Sequence, residues 1–364
     1  MKNANELQFC VIYCTTAYEW QGISVPVIRE RYIGLMRETI KTAVLAVAAA
    51  LWLTAGCARN SPPLADDGRL QIVCTTFPQY DWTRSLIQGN EENVSVTLLM
   101  DKGGDLHNFQ PSAMDIARVS ACDLFIYVGG ESDGWVDDAL AEAVNPAMRV
   151  VNMMDAVGER LVEEEHVEAG SGHDGDDHEA HDEREYDEHV WLSIINAELI
   201  VEDIAAELAA LDSEHADLYR KNCDRYIAAL DALDIQYAET VRKCGGGTLL
   251  FADRFPFRYL VEDYGIDYYA AFNGCSAETE ASFNTVAFLV GRLDALGLEA
   301  VIVLDGSDDR LARVVIENTA TGHQQILVLD SMQSVSQKDI GAGLSYLNAM
   351  EANLRTLRQA LQAK

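Results

Sequence analysis

The sequence predicts an α/β fold in which two parallel-sheet lobes of similar topology are joined by one long rigid helix. Short apolar segments alternate with helical patterns in both halves of the chain, which indicates mostly parallel sheets. Between the halves, residues 213–243 keep a helical period of apolar side chains, and a helix of this length can join two domains stiffly. Three consecutive glycines then end this helix, and a second series of strands and helices begins.

The predicted elements divide the chain into two lobes and a linking helix. Strands are predicted at residues 70–76, 94–100, 123–129 and 148–151, and again at 248–252, 299–304 and 325–329. Helices are predicted at residues 196–211, from an N-cap at Ser213 to about 243, and at 346–361. We therefore expect an N-terminal lobe at 70–211, a linking helix at 212–244 and a C-terminal lobe at 245–364.

Composition restricts the class of partner. The chain has 364 residues and 49% hydrophobic residues, which is enough for two domains with sizeable cores. Its formal net charge of −32 is far from that of an ordinary globular protein. A surface this acidic repels nucleic acid and attracts cations, so we expect no nucleic-acid partner.

The N-terminal 69 residues predict a targeting segment. Residues 1–35 show no clear period, and we interpret them as an extension that is not part of the native protein, with Met36 as the true start. Residues 36–57 have the positive start, short apolar run and small final residues of a secretory signal peptide. The sequence Thr54-Ala55-Gly56-Cys57 resembles a bacterial lipobox, in which Thr54 departs from the usual leucine. This resemblance makes Cys57 the predicted lipidation site. Residues 58–69, with paired prolines, are predicted to be a tether.

A second unusual segment is an acidic loop rich in histidine. Residues 163–188 carry thirteen acidic residues against one arginine, and five of the eight histidines lie between 166 and 189. Such a polar, glycine-containing segment is typical of disorder, and imidazole suits zinc. We expect accessory metal capture by four histidines in this loop: His166, His173, His178 and His181. A merely solvated acidic loop is the alternative.

Candidate ligands also follow predicted strands. His107 lies in a glycine-rich loop after the strand at 94–100, and Asp305 and Asp330 follow the strands at 299–304 and 325–329. In open parallel sheets, ligands bind just beyond these carboxyl ends. A helix-capping histidine and a turn-forming aspartate are the alternatives for His107 and Asp330.

Several separated motifs give the chain a family resemblance. It resembles the extracytoplasmic solute-binding proteins of bacterial ABC importers for zinc and manganese, of the zinc-uptake type. The motifs are Thr75-Thr76-Phe77-Pro78, His107 within Leu-His-Asn-Phe-Gln-Pro-Ser, Asp123-Leu124, Asp187 to Leu192, Phe257 to Leu260, Ser276 to Glu280, and Val328 to Ser331.

The resemblance implies a metal site in the cleft between the lobes. Members typically bind the ion with three histidines and one carboxylate. By motif, His107 and His189 match the first two histidines, and Asp330 matches the carboxylate.

The third histidine of the family is absent from this sequence. Counting back from Phe257 places Arg254 at its position, whereas counting forward from the end of the strand places Asp253 there. Arginine stays protonated and cannot bind a cation, so Asp253 is the candidate fourth ligand. A carboxylate in place of an imidazole makes manganese more favourable.

The resemblance implies a binding protein and not an enzyme. We expect a monomeric lipoprotein outside the cytoplasm, in the periplasm or at the cell surface, that is anchored to the membrane, captures Zn²⁺ and delivers it to an ABC permease. The histidine-rich loop favours zinc over manganese, which is the alternative cargo. A metal-dependent hydrolase is a weaker alternative because the sequence has neither an HExxH nor a GxSxG motif. An adhesin role for the same fold is a third possibility.

Overall fold

The chain forms two lobes, each built on one sheet. The computed structural model describes residues 67–164, 185–274 and 281–362. Within these ranges there are two four-stranded sheets, and neighbouring strands in each sheet run parallel. The predicted α/β class with two parallel-sheet lobes of similar topology is therefore confirmed.

The first sheet has the spatial order β2-β1-β3-β4. Its strands are β1 (Leu70–Cys74), β2 (Val94–Leu98), β3 (Leu124–Tyr127) and β4 (Arg149–Asn152). Ile72 in β1 pairs with Val96 on one side and Leu124 on the other, and it is buried. Because these strands run parallel, the loops that follow β1, β2 and β3 lie at the same end of the sheet.

Short helices connect these strands. They are α1 (Phe77–Leu86), α2 (Ala113–Ala121), α3 (Val136–Ala141) and α4 (Met153–Val157). Single 3₁₀ turns lie at Leu106–Asn108, Glu131–Asp133, Gly158–Arg160 and Val190–Leu192. At the start of α2, Ser112 and Asp115 form a reciprocal capping box, which fixes where the chain re-enters a helix after the loop of His107.

Two longer helices follow, α5 (Ile194–Leu211) and α6 (Ala216–Cys244). The helix α6 has 29 residues and is the predicted linking helix. The prediction of Ser213 as its N-cap is wrong, because the helix begins three residues later. A turn precedes it, in which the Asp212 carboxylate accepts hydrogen bonds from the backbone N–H of His215 and the hydroxyl of Tyr219.

The second sheet has the order β6-β5-β7-β8. Its strands are β5 (Thr248–Phe255), β6 (Asp267–Asn273), β7 (Ala300–Leu304) and β8 (Gln325–Leu329). The strand β6 is missing from the prediction, although an aromatic run after a helix-ending glycine is a strand signal. The second-lobe helices are α7 (Arg258–Tyr264), α8 (Phe283–Leu296), α9 (Arg310–Glu317), α10 (Gln337–Gly341) and α11 (Tyr346–Gln362).

The linking helix packs against both lobes. It contacts α1 and α5 of the first lobe and α11 of the second. The lobes also contact each other directly, since the indole Nε1 of Trp191 donates to the backbone oxygen of Ser331 at 2.9 Å. The hydroxyl of Tyr346 in turn donates to the backbone oxygen of Trp191 at 2.7 Å. These buried contacts hold the turn after His189 against the loop after β8.

Some predictions lie outside the described residues. These are the lipidation site Cys57 and the four loop histidines His166, His173, His178 and His181. Residues 275–280, which carry one of the family motifs, lie outside as well. Within the described ranges, every helix is too short or too polar to cross a membrane.

Candidate metal centre

Two predicted ligands come together where the lobes meet. His107 lies in the 3₁₀ turn after β2, and His189 directly precedes the turn Val190–Leu192. Their Nε2 atoms are 3.3 Å apart. The sequence separates these residues by 82 positions, so the fold and not local structure creates the pair.

The ring of His107 is oriented by oxygen atoms behind it. The Asp105 carboxylate accepts the backbone N–H of His107 at 3.1 Å and so fixes the turn. On the ring, Nδ1 lies 2.8 Å from the hydroxyl of Ser132 and 3.6 Å from Oε2 of Glu188. A hydrogen on Nδ1 can be accepted by the Ser132 hydroxyl, which leaves the lone pair on Nε2.

His189 is oriented in the same way but more tightly. Its side chain is fully buried, and both its backbone N–H and its Nδ1 lie 2.8 Å from one oxygen of Asp187. The hydroxyl of Tyr259, from the second lobe, donates to the backbone oxygen of Asp187 at 2.7 Å. Nδ1 of His189 therefore carries the hydrogen and donates it to Asp187, which leaves the lone pair on Nε2.

Two facing lone pairs repel each other unless a cation or a hydrogen-bond donor lies beside them. Two nitrogens bound to one tetrahedral zinc at about 2.0–2.1 Å are about 3.3–3.4 Å apart. The observed separation of 3.3 Å between the Nε2 atoms of His107 and His189 matches this value. The pair is thus arranged as two ligands of one tetrahedral ion.

The charge state of His107 also suits a ligand. Burial, helped by the neighbouring His189 and Arg254, lowers its pKa to about 4, although Asp105 and Asp187 act in the opposite direction. The imidazole is therefore neutral at physiological pH, which is the form that binds metal.

Gly130 makes room for the carboxylate behind His107. A Cβ atom at Gly130 would lie 2.4 Å from Oε1 of Glu188, and the glycine has φ +79°. The same Oε1 accepts the backbone N–H of Ser132 at 2.8 Å. The backbone here can approach Glu188 because a glycine occupies this position.

A third group at the centre, Gln333, is absent from the sequence prediction. Its amide nitrogen lies 2.6 Å from Nε2 of His189 and 3.4 Å from Nε2 of His107. Gln333 is buried in the loop after β8, three residues beyond Asp330. Its position at the carboxyl end of a parallel strand is the signal that could have identified it, but a neutral amide is a weaker indication of a metal ligand than a carboxylate.

Comparison with known proteins places this chain in a family. The family model described as "Zinc-uptake complex component A periplasmic" (ZnuA) matches residues 72–360. The chain belongs to the ZnuA family.

Curated relatives of this ZnuA-family chain carry zinc-related names. The zinc-binding protein AdcA of Streptococcus pyogenes is 27% identical over 297 residues, which are 80% of this chain and 56% of that protein. The chain thus spans little more than half the length of such streptococcal relatives. The high-affinity zinc uptake system protein ZnuA of Bacillus subtilis is 28% identical over 328 residues, which are 87% of this chain and 97% of that protein.

Solved structures share the fold. The Zn(II)-bound ZnuA-like domain of Streptococcus pneumoniae AdcA has a TM-score of 0.64 at 26% identity and covers 81% of this chain and 100% of that chain. The metal-dependent lipoprotein YcdH of Bacillus subtilis has a TM-score of 0.66 at 25% identity with the same coverage.

The other two predicted ligands lie apart from the histidine pair in this ZnuA-family chain. Among the described residues, no three His, Cys, Asp or Glu side chains form a group that could hold a metal. One oxygen of Asp330 accepts the backbone N–H of Met332 at 2.7 Å, and burial raises the pKa of this carboxyl to about 6. The two oxygens of Asp253 accept the backbone N–H groups of Arg254 and Leu304. Both carboxylates therefore stabilise the backbone near the ends of strands by accepting hydrogen bonds.

Arg254 lies beside the histidine pair. Its guanidinium pairs with Asp105 of the first lobe at 2.7 Å. Although burial acts in the opposite direction, this charge lowers the pKa of Asp105. Arg254 therefore places a fixed positive charge next to His107. It occupies one of the two sequence positions at which the family resemblance implies the third histidine.

A cavity of about 690 Å³ opens next to the centre. It lies at the carboxyl ends of β5, β7 and β8, and residues of both lobes line it, including Asp105, Arg254 and Gln333. The centre therefore has a buried side, formed by His189 and its carboxylate, and an open side that leads into this cavity.

Proposed function

We propose that this chain is a zinc-binding protein that captures Zn²⁺ between its lobes outside the cytoplasm and delivers it to an ABC permease for import. The observation that carries the proposal is the pair of Nε2 atoms 3.3 Å apart, each with an oxygen behind its Nδ1. The family and the names of its relatives support the same cargo.

In this proposal His107 and His189 are the principal ligands. Gln333 would join them through its amide oxygen after a rotation of the amide, which brings the second lobe into the site. Asp253 and Asp330 are the other two predicted ligands. Both oxygens of Asp253 accept backbone N–H groups, whereas only one oxygen of Asp330 does. They stay predictions that substitution can test.

The further parts of the proposal concern residues outside the described ranges. We propose that Cys57 carries the lipid anchor and that the chain acts as a monomer at the membrane surface. The loop histidines His166, His173, His178 and His181 would raise the local zinc concentration by weak binding. The role is one of binding and not of catalysis.

Calorimetric titration of chelator-treated full-length protein with Zn²⁺ tests the proposal. We expect one tight site per chain, and His189→Ala should weaken it about 100-fold or more, because the site loses one of two imidazoles. His215→Ala is the matched control, since His215 pairs with Asp212 at the start of α6. Replacing all four loop histidines by alanine should remove only weak sites.

Competition with Mn²⁺ in the same titration tests the identity of the cargo. Two imidazole nitrogens favour zinc over manganese. If the tight site bound manganese in preference to zinc, manganese would be the cargo. If the protein bound neither ion, the proposed function would be wrong.

A further inference from the structure

Asp105 links the turn that carries His107 to the second lobe. One oxygen of its carboxylate accepts the backbone N–H of His107 at 3.1 Å, and the other oxygen lies 2.7 Å from the guanidinium of Arg254. The side chains of Asp105 and Arg254 are only 16% and 24% exposed, so salt and water screen this ion pair less than a pair on the open surface. A single carboxylate therefore connects a predicted metal ligand with strand β5.

The loop before His107 is also held at its start. Lys102 forms an antiparallel bridge with Ser336 of the second lobe. Two consecutive glycines then separate this bridge from Asp105. Because glycine has the greatest backbone freedom, the contact at Lys102 alone does not fix the turn Leu106–Asn108. The ion pair between Asp105 and Arg254 supplies a second fixed point, directly before this turn.

The backbone that carries Arg254 is itself fixed. The pairing of β5 with β6 shifts between Phe251 and Arg254, because β5 has one extra residue there and forms a β-bulge. Within the bulge, Asp253 accepts the backbone N–H of Arg254 at 2.8 Å and the backbone N–H of Leu304 in β7 at 3.0 Å. Bulges change the direction in which a strand presents its side chains. The bulge and Asp253 therefore hold Arg254 as a rigid partner for Asp105.

We propose that Arg254 is a positioning residue, which holds the turn of His107 in its metal-binding conformation before the metal binds. This inference rests on the proposed function. A third histidine at this position would join the second lobe to the ion only once the ion is bound. An ion pair between Arg254 and Asp105 needs no metal, so the second lobe orders the ligand in advance. Such preorganisation lowers the cost of ordering that binding would otherwise include.

A simple charge effect of Arg254 predicts the opposite result. Its guanidinium pairs with a carboxylate two residues before His107, and a positive charge at this place repels a metal ion. If repulsion were its only effect, removing the charge would tighten zinc binding. If Arg254 orders the turn, removing it adds a cost of ordering and weakens binding. The sign of the change in affinity therefore separates the two effects.

Hydrogen exchange tests the order of the turn without zinc. Chelator-treated full-length protein is followed by mass spectrometry of peptides that span residues 101–109. We expect the backbone N–H groups of this segment to exchange about tenfold faster in Arg254→Gln than in the native chain, because Asp105 loses its charged partner. One equivalent of Zn²⁺ should restore slow exchange in this variant. Arg254→Lys should stay close to the native chain, since an ammonium group can still pair with Asp105.

Zinc affinity is measured on the same variants by competition with a chelator. Arg254→Gln should bind Zn²⁺ about five- to tenfold more weakly than the native chain, and Arg254→Lys should bind it within about twofold of the native value. Arg313→Gln is the matched control, because Arg313 is an exposed arginine of α9 that pairs with Asp309 at the start of the same helix. It should change neither the exchange of residues 101–109 nor the affinity.

Circular dichroism checks the folding of each variant. If Arg254→Gln does not fold, Asp105→Asn gives the same test from the first lobe. This substitution removes the ion pair, whereas its amide oxygen can still accept the backbone N–H of His107. It should also speed exchange in the metal-free chain.

Native-like exchange without zinc in a folded variant that lacks the ion pair would overturn the inference and leave the proposed function intact. Tighter zinc binding by Arg254→Gln would overturn it as well. If the native chain bound no zinc, the proposed function would be wrong, and the inference would fall with it.

Discussion

Asp187 and Glu188 are consecutive residues that each support a different histidine. Asp187 holds Nδ1 of His189, and Glu188 lies behind Nδ1 of His107 together with Ser132. Carboxylates in this position fix the tautomer and raise the basicity of the nitrogen that binds metal. In the proposed site, Asp187 would act in this way on His189, whereas Glu188 would add negative charge near His107.

At the same scale, Gln333 can be converted into a stronger ligand. Gln333→Glu should lower the dissociation constant for Zn²⁺ about tenfold, because a carboxylate replaces a neutral amide beside both Nε2 atoms. Gln359→Glu, which adds the same charge at an exposed position of α11, is the control. Calorimetric titration measures the effect, and unchanged or weaker binding by Gln333→Glu would show that this side chain does not reach the ion.

A pH effect is expected at Asp133, whose carboxylate accepts the backbone N–H groups of Val128 and Gly129. Burial, with a contribution from Glu188, raises its pKa to about 6. The folded state therefore takes up a proton between about pH 6 and pH 4, where the unfolded state has not yet done so. This contribution stabilises the native chain as the pH falls, and it is lost as the pH rises through 6.

Asp133→Asn should remove this contribution. Between pH 7 and pH 4, we expect the unfolding free energy of the native chain to rise relative to that of the variant by about 2–3 kcal/mol, because the pKa of Asp133 is about 6 in the folded chain and about 4 in the unfolded chain. Denaturant titrations at several pH values measure the difference. Asp137→Asn, at an exposed position in α3, is the control, and parallel profiles for the native chain and Asp133→Asn would contradict the assignment.

At the residue scale, the sequence predicts the two histidines that the structure brings together, and it does not predict Gln333 beside them. His107 and His189 lie in motifs whose local residues also fix the ring orientation, so the motif contains most of the information. Gln333 acts through a loop conformation in which Met332 has φ 58°, and no residue pattern in the sequence indicates such a backbone. Asp253 is predicted as a ligand from the end of the predicted strand and because Arg254 cannot bind a cation. In the structure, it lies within β5 and its oxygens accept backbone N–H groups of β5 and β7.

Among the elements, the helix α6 determines how the lobes are joined. Its buried side chains recur at a helical period, which is why the sequence predicts it well. Its start is less predictable, because Asp212 caps a turn before the helix and Ser213 caps nothing. Strand β6 has the sequence DYYAAFN, which lacks strict alternation of apolar and polar residues, so its strand signal is weaker than that of the other strands.

A substitution in α6 measures how much the linking helix contributes to stability. Leu230 is completely buried between the lobes' helices, and Leu230→Ala should cost about 2–5 kcal/mol through lost contacts and a cavity. Ile235 lies on the same helix with 57% exposure, so Ile235→Ala should change stability by about 0.5 kcal/mol. Urea denaturation measures both, and equal losses would contradict the assigned inner face of α6.

For the whole molecule, contacts between the lobes surround the metal centre. Arg254 pairs with Asp105, two residues before His107, and Trp191, two residues after His189, donates to Ser331. The alternation of strands and helices predicts two parallel-sheet lobes, but these cross-lobe contacts join residues far apart in the chain. Sequence patterns therefore predict the lobes and not the manner in which they enclose the site.

The central claim is that one zinc ion binds between His107 and His189. Crystals of the full-length protein grown with Zn²⁺ and measured at the zinc absorption edge test it most directly. The account predicts one strong anomalous peak about 2.0–2.1 Å from both Nε2 atoms, with Gln333 on its second-lobe side. A peak bound by Asp253 or Asp330 without the histidine pair, or no peak between the lobes, would contradict it.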